Sequence, residues 1–280
     1  MTICILTDSA VQFPNPVFEG RNLVSILPTR WNNHGEIEDG HELKAADLPE
    51  SIHQTSAPEL QTPSSSDIGE AIRALGGRCS GVLAILHSAQ FSHAYGHTIE
   101  AAEELQGNVP IRVIDSHTTS LGLGMLVEIA ADAAKQGQPL NDIELHIRSL
   151  LPRIYSLLCI PGLSYLQRRG YLNSAQSRVG EYLGMLPIFT LDNGELLPGE
   201  KARNTRHLVE LLHEFLAEFS DLDHVAIMQG APPFDQETRA LRERLAEDHK
   251  TTPVSEQIIG APLASQIGPR SLGIFALQGS

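Results

Sequence analysis

Apolar runs without polar alternation occupy residues 2–7, 23–28, 80–86 and 111–114 and are rich in Ile, Leu and Val. Strands covered on both faces carry this pattern, because neither side of the sheet meets water. Between and after them the apolar positions recur at helical spacing: DLPESIHQ at 47–54, SSDIGEAIRALGG from 65, SHAYGHTIEAAEEL from 92 and SLGLGMLVEIAADAAKQG from 120. In the second of these, Ser66 or Asp67 is a candidate N-cap and Gly76-Gly77 a stop. Strands alternating with helices predict an α/β fold whose first sheet is mostly parallel and flanked by helices.

Near Pro152 the pattern changes. YSLLCIPGLSYL predicts a strand and a turn, and LPIFTLDNGELLPGEKAR predicts a hairpin around Asp192-Asn193-Gly194, residues that tolerate the positive φ of a tight turn. A helix over 204–219, a strand over 223–229, a helix over 235–249 and a last strand over 271–277 follow. The expectation is two α/β domains, 1–155 and 156–280, the second with a partly antiparallel sheet, and any ligand between them.

Charge narrows the partners. A formal net charge of -14 over 280 residues repels phosphate backbones and anionic lipid surfaces, so nucleic acid is not an expected partner. No stretch approaches the roughly 18 apolar residues of a membrane span, and no basic segment with an apolar run opens the chain. Cys4, Cys79 and Cys159 are widely spaced and suggest neither a disulfide framework nor a thiolate zinc site. The expectation is a cytoplasmic protein that is not integral to a membrane.

Two apolar strands end in the same pair, Asp8-Ser9 and Asp115-Ser116, at the sheet edge where open α/β folds bind ligands. Such short polar side chains either cap and hold turns or shape a polar rim around a cleft. Gly122-Leu123-Gly124 lacks the third glycine of a dinucleotide loop and reads as close packing on a helix. His93 and His97 share a helix face at a metal-ligand spacing, yet no third ligand is placed to complete a site. Thr62-Pro63-Ser64-Ser65-Ser66 and Ser92 put hydroxyls ahead of two helices, where an anion would find hydroxyls and free amides together. An alternative is a small-molecule hydrolase or transferase using Ser92 with His93 or His97 as base.

In order and at comparable spacing, ICILTDSA, the hydroxyl cluster at Thr62 to Ser66, FSHAYGHTIEAA from 91, VIDSHTTSLGLG from 113, LQRRGYL from 166, PIFTLDNGELLPGEKAR from 187 and IGPRSLGIF from 267 resemble the DegV family of fatty-acid-binding proteins. The resemblance runs from one end of the chain to the other. It implies a two-domain α/β protein that encloses one long-chain fatty acid, without catalysis or cofactor of its own. Where a fatty-acid kinase exists, such proteins present the bound carboxylate to it for phosphorylation. Thr62 and Ser92 match the family's carboxylate-holding hydroxyls, Ser64 falls in the same cluster, and Arg203 matches the arginine linked to the kinase step.

The departures from the family pattern lie at the headgroup. T-S-Q-P-S is Thr62-Pro63-Ser64-Ser65-Ser66 here, and L-S-G-T is Phe91-Ser92-His93-Ala94, with an imidazole at the usual glycine. The GGR-type stretch keeps Gly170 but continues Tyr171-Leu172, Gln266 replaces the family histidine of the terminal loop, and Gln229-Gly230 replaces a strand-end His-Gly. These changes bear on the kinase step more than on carboxylate binding. If the charged contact has moved to His93, affinity should weaken as pH rises through roughly 6 to 8; with His93 in solvent it should not.

Overall fold

The computed structural model describes residues 2–39, 43–105, 107 and 109–279. In chain order the first strands are β1 (Ile3–Thr7), β2 (Val24–Ile26), β3 (Arg30–Asn33), β4 (Glu36–Asp39), β5 (Glu59–Leu60), β6 (Gly81–Leu86) and β7 (Ile111–Asp115). They are followed by β8 (Ile154–Cys159), β9 (Leu186–Asp192), β10 (Glu195–Ala202), β11 (Leu222–Gln229), β12 (Val254–Ile258) and β13 (Leu272–Gln278). The helices are α1 (Ser65–Gly76), α2 (Ala94–Glu104), α3 (Ser120–Lys135), α4 (Leu140–Leu150), α5 (Leu163–Arg168), α6 (Ser174–Tyr182), α7 (Thr205–Ala217), α8 (Asp235–Asp248) and α9 (Ala261–Ile267).

The first sheet, β2-β1-β6-β7, is parallel throughout. Its central strands, ICILT and GVLAIL, are buried at every position, which is why they show no alternation in the sequence. The second sheet, β10-β9-β8-β13-β11-β12, is antiparallel except where β11 pairs with β12. Between the sheets runs α3, buried over most of its surface and touching β1 and β6 on one side and β8, β11 and β13 on the other. One aliphatic core therefore passes from Ile5 and Ile85 through Leu126 to Leu158 and Phe275.

Gly122 and Gly124 make this contact possible. A Cβ at Gly124 would collide with the Gln12 carbonyl, and one at Gly122 with Thr118 and, at 3.0 Å, with Phe275. They are close-packing positions, as the missing third glycine implied. On the one polar stripe of α3, Glu128 accepts from the Asn15 amide at 2.9 Å and Asp132 from the Gly20 amide at 2.7 Å. Two carboxylates one helical turn apart thus hold the 15–20 segment against the helix.

Several expectations are corrected. Residues 48–54 form no helix, because their polar groups are spent on α5: the Pro49 carbonyl accepts from the Tyr165 hydroxyl at 2.6 Å and the Ile52 amide donates to Ser164 Oγ at 3.0 Å. A three-stranded antiparallel sheet, β4-β3-β5, fills the region ahead of α1, and α4, α6, α9 and β12 are elements that the hydrophobic pattern did not announce. The cap of α1 is Ser64, whose Oγ accepts from the Asp67 amide at 3.2 Å while Asp67 accepts from the Ser64 amide at the same distance. Cys4 and Cys79 are joined in a disulfide, with Cα atoms 5.9 Å apart. Parallel pairing of β1 with β6 brings them together, and linear spacing gives no sign of it. The hairpin is as expected, with Asn193 at φ 48° and Gly194 at φ 81°.

Candidate headgroup site

The carboxyl ends of β1 and β7 carry the Asp-Ser pairs, and both aspartates grip the loop that follows β6. Asp8 Oδ2 accepts from the His87 backbone amide and lies 2.9 Å from His87 Nδ1, while Oδ1 accepts from Ala10. Burial works to raise the Asp8 pKa, but the charge of His87 and these hydrogen bonds outweigh it and hold the group below the ordinary carboxylate value. On the other flank Asp115 accepts from the Ala89 amide at 3.3 Å and from His117 at 3.0 Å. Ser116 Oγ closes its own turn by donating to the Thr118 carbonyl. Asp8, Asp115 and Ser116 therefore hold turns.

That clamped loop ends in Phe91 and Ser92, opening α2. Ser92 Oγ accepts from the Ala94 amide at 3.0 Å, so its own proton is left for another partner. Thr62 Oγ1 stands 3.4 Å away across the start of α1. His97 sets this distance: its Nδ1 donates to the Pro63 carbonyl at 2.7 Å, tying the Thr62 segment to the side of α2. The two hydroxyls are hydrogen-bonded to each other, one donating, so one proton of the pair is left for a ligand. A carboxylate, which only accepts, complements them.

Around the pair lies a cavity of about 160 Å³ lined by Glu59, Leu60, Thr62, Phe91, Ser92, Arg168, Arg169, Ser265 and Gln266. Its cations come from the C-terminal end of α5. Arg168 donates to the Ala57 carbonyl at 3.0 Å and to that of Ser265, and its Nε is 3.5 Å from Glu59. Arg169 donates to Gln266 Oε1 at 2.7 Å and to the Gln90 carbonyl at 3.1 Å, with its guanidinium 4.8 Å over the Phe91 ring. Desolvation draws the Arg169 pKa down, opposed by Tyr171. Beyond the Arg168–Glu59 pair, which lines both, is a second cavity of about 520 Å³.

The structure thus brings Thr62, Ser92 and Gln266 to one cavity. Ser64 is exposed and its hydroxyl is committed to Asp67 at 2.7 Å. His93 is exposed at the N-cap of α2, 6.2 Å from His97 ring to ring, and is not part of the lining. Arg203 is exposed beyond β10, its amide donating to His207 Nδ1, and also lies outside the lining. Gln229 is spent on Thr238, Glu256 and the Phe234 amide. Arg168 and Arg169 went unread in LQRRGYL, where their position before Gly170 at a helix end was the available signal. Among the described residues no imidazole is hydrogen-bonded to Ser92 Oγ, whose contacts are with Thr62 and the Ala94 amide. No group of three His, Cys, Asp or Glu residues suited to a metal occurs among them. Nor is any described helix long and apolar enough to cross a membrane.

A parallel sheet and a mixed sheet sharing one buried helix, with two hydroxyls and two guanidinia lining one cavity, define an α/β protein with a polar cleft. The chain belongs to the DegV family: the family model described as "Uncharacterised protein, DegV family" matches residues 2–279. It is 26% identical over 276 residues to a DegV domain-containing protein of Caldanaerobacter subterraneus, covering 98% of both chains. Its fold matches that of a DegV family protein from Thermus thermophilus described as fatty acid binding, with a TM-score of 0.82 at 24% identity and full coverage of both. It also matches the fatty acid kinase B3 protein of Streptococcus pneumoniae, solved with linoleic acid, with a TM-score of 0.85 at 17% identity and full coverage of both.

Proposed function

We propose that this protein binds one long-chain fatty acid, non-enzymatically, with the carboxylate at Thr62 and Ser92. The observation that carries this is the pair of hydroxyls 3.4 Å apart, whose mutual hydrogen bond leaves one proton over, in a cavity that also holds two guanidinia. Relatives of the same fold described with bound fatty acids support it. Phe91, on the cavity wall, belongs to the aliphatic core that includes Leu163, Leu166, Leu263 and Ile267. The acyl chain enters this core between the two halves of the molecule, divided near residue 155, and displaces side chains there. At roughly 0.8 kcal/mol per buried methylene, a long chain contributes on the order of 10 kcal/mol.

Mass spectrometry of the denatured recombinant protein should release a fatty acid in near one-to-one amount. Thr62→Ala and Ser92→Ala should each weaken binding of palmitate by about 2- to 15-fold, the cost of one hydrogen bond. A preparation that carries no acid and takes up none when offered overturns the reading. Presentation to a fatty-acid kinase is the second part of the proposal, with exposed Arg203 as a contact for that partner. Acyl phosphate formation on adding such a kinase and ATP tests it, Gln266 being the residue that argues against. We place the protein in the cytoplasm. The Cys4–Cys79 bond is the feature opposed to this, and thiol titration of protein taken from cells decides between them.

A further inference from the structure

Arg169 is a cation without an anion. Its guanidinium is satisfied by neutral acceptors, Gln266 Oε1 and the Gln90 carbonyl, and is stacked between Phe91 at 4.8 Å and Tyr171 at 6.0 Å. Its Nε is buried and bonded to nothing. Among the described residues no carboxylate pairs with it, whereas its neighbour Arg168 has Glu59. The chain does not lack carboxylates: 34 Asp and Glu stand against 20 Lys and Arg. A half-buried charge left unpaired in so acidic a protein is costly, and burial of charge is tolerated where a partner arrives. The partner has one place to arrive, because Arg169 lines the same cavity as Thr62 and Ser92.

We propose that Arg169 is the counter-ion of the bound ligand, so that the cavity selects long-chain carboxylates as anions through a permanent cation and two hydroxyls. The identity of the ligand rests on the fatty-acid reading; the assignment of the counter-ion does not. Gln266 serves as its carrier: an amide oxygen orients the guanidinium without neutralising it, where a carboxylate would close the site with an internal ion pair. The groups facing Arg169 are Arg168 and Tyr171 from the end of α5 and its following turn and Glu59 from β5; the imidazoles of α2, His93 and His97, lie outside the lining. Affinity for the anion is accordingly flat between about pH 6.5 and 9, in a range where carboxylates are ionised and guanidinium stays protonated.

Binding of palmitate and of hexadecanol, of equal chain length, tests this in the wild type, Arg169→Lys and Arg169→Gln. The wild type should prefer the acid by about 10- to 100-fold, Arg169→Lys should keep most of that preference, and Arg169→Gln should reduce it to about threefold or less. An unchanged acid-to-alcohol ratio in Arg169→Gln overturns the proposal while leaving fatty-acid binding intact. Acetate against chloride at equal ionic strength supplies the arm that does not depend on the lipid. Acetate should raise the melting temperature of the wild type and not that of Arg169→Gln. If palmitate does not bind but this difference holds, the fatty-acid reading falls and the counter-ion stands; if neither ligand distinguishes the variant, the counter-ion falls.

Discussion

Replacing Glu128 by Gln should make the protein more stable at pH 8.5 and leave it nearly unchanged at pH 5. Glu128 lies on the polar stripe of α3, pressed against the 15–20 segment. Burial is the main cause that pushes its pKa from 4.5 up to about 7; the Asn15 amide pulls the other way, and the charge of Asp132 one turn along adds to the rise. The folded chain therefore holds a proton that the unfolded chain releases near 4.5. Stability from this group is complete below that value and is lost as pH rises through 7, the opposite of a paired carboxylate. A rise from 4.5 to about 7 is worth about 3 kcal/mol at 1.36 kcal/mol per unit, and because the side chain is only partly buried, solvent screening reduces it to about 1–2 kcal/mol. Gln keeps an oxygen for the Asn15 amide without the charge. Thermal unfolding followed from pH 5 to 9 should show the variant gaining about 2–6 °C over the wild type across the neutral range. A difference between the two proteins that does not change with pH, or a variant no more stable at pH 8.5, refutes the reasoning.

Gly194→Ala should cost at least about 1–2 kcal/mol, because φ is 81° there and the added Cβ would run into Ser88 Oγ; urea unfolding against wild type measures it. Reducing the Cys4–Cys79 bond, or replacing Cys4 by Ser, should lower stability by about 4 kcal/mol, as the constraint on a loop closed across 75 residues predicts, and a melting temperature insensitive to reductant would disprove the linkage. His93→Gly should leave palmitate affinity and its pH profile unchanged, since the imidazole is exposed and outside the lining; a flattened profile in the variant alone would return His93 to the site.

Legibility followed burial. ICILT and GVLAIL announce themselves because both faces are covered, and the DNG turn because its backbone demands those residues. The strands β3 to β5 are short and half exposed, so their RWNN and EIED carry no pattern that local reading would separate from loop. DLPESIHQ has helical spacing, yet contacts with Ser164 and Tyr165, more than 100 residues away in the chain, decide its conformation. The same division runs through the site. Thr62 and Ser92 were recognisable as hydroxyls before helices, but the significance of Arg169 depends on what it fails to meet in space, and no string of letters records an absent partner.

The hairpin tip has a consequence for how such a chain can vary. Turns between antiparallel strands are ordinarily where insertions accumulate, since an extra residue there meets only water. Here the Gly194 carbonyl receives the Ser88 hydroxyl at 2.9 Å, and Ser88 belongs to the loop that ends at Ser92. A lengthened turn would lift off that loop or push it, so drift in one half of the molecule is policed by the loop that carries Ser92 in the other.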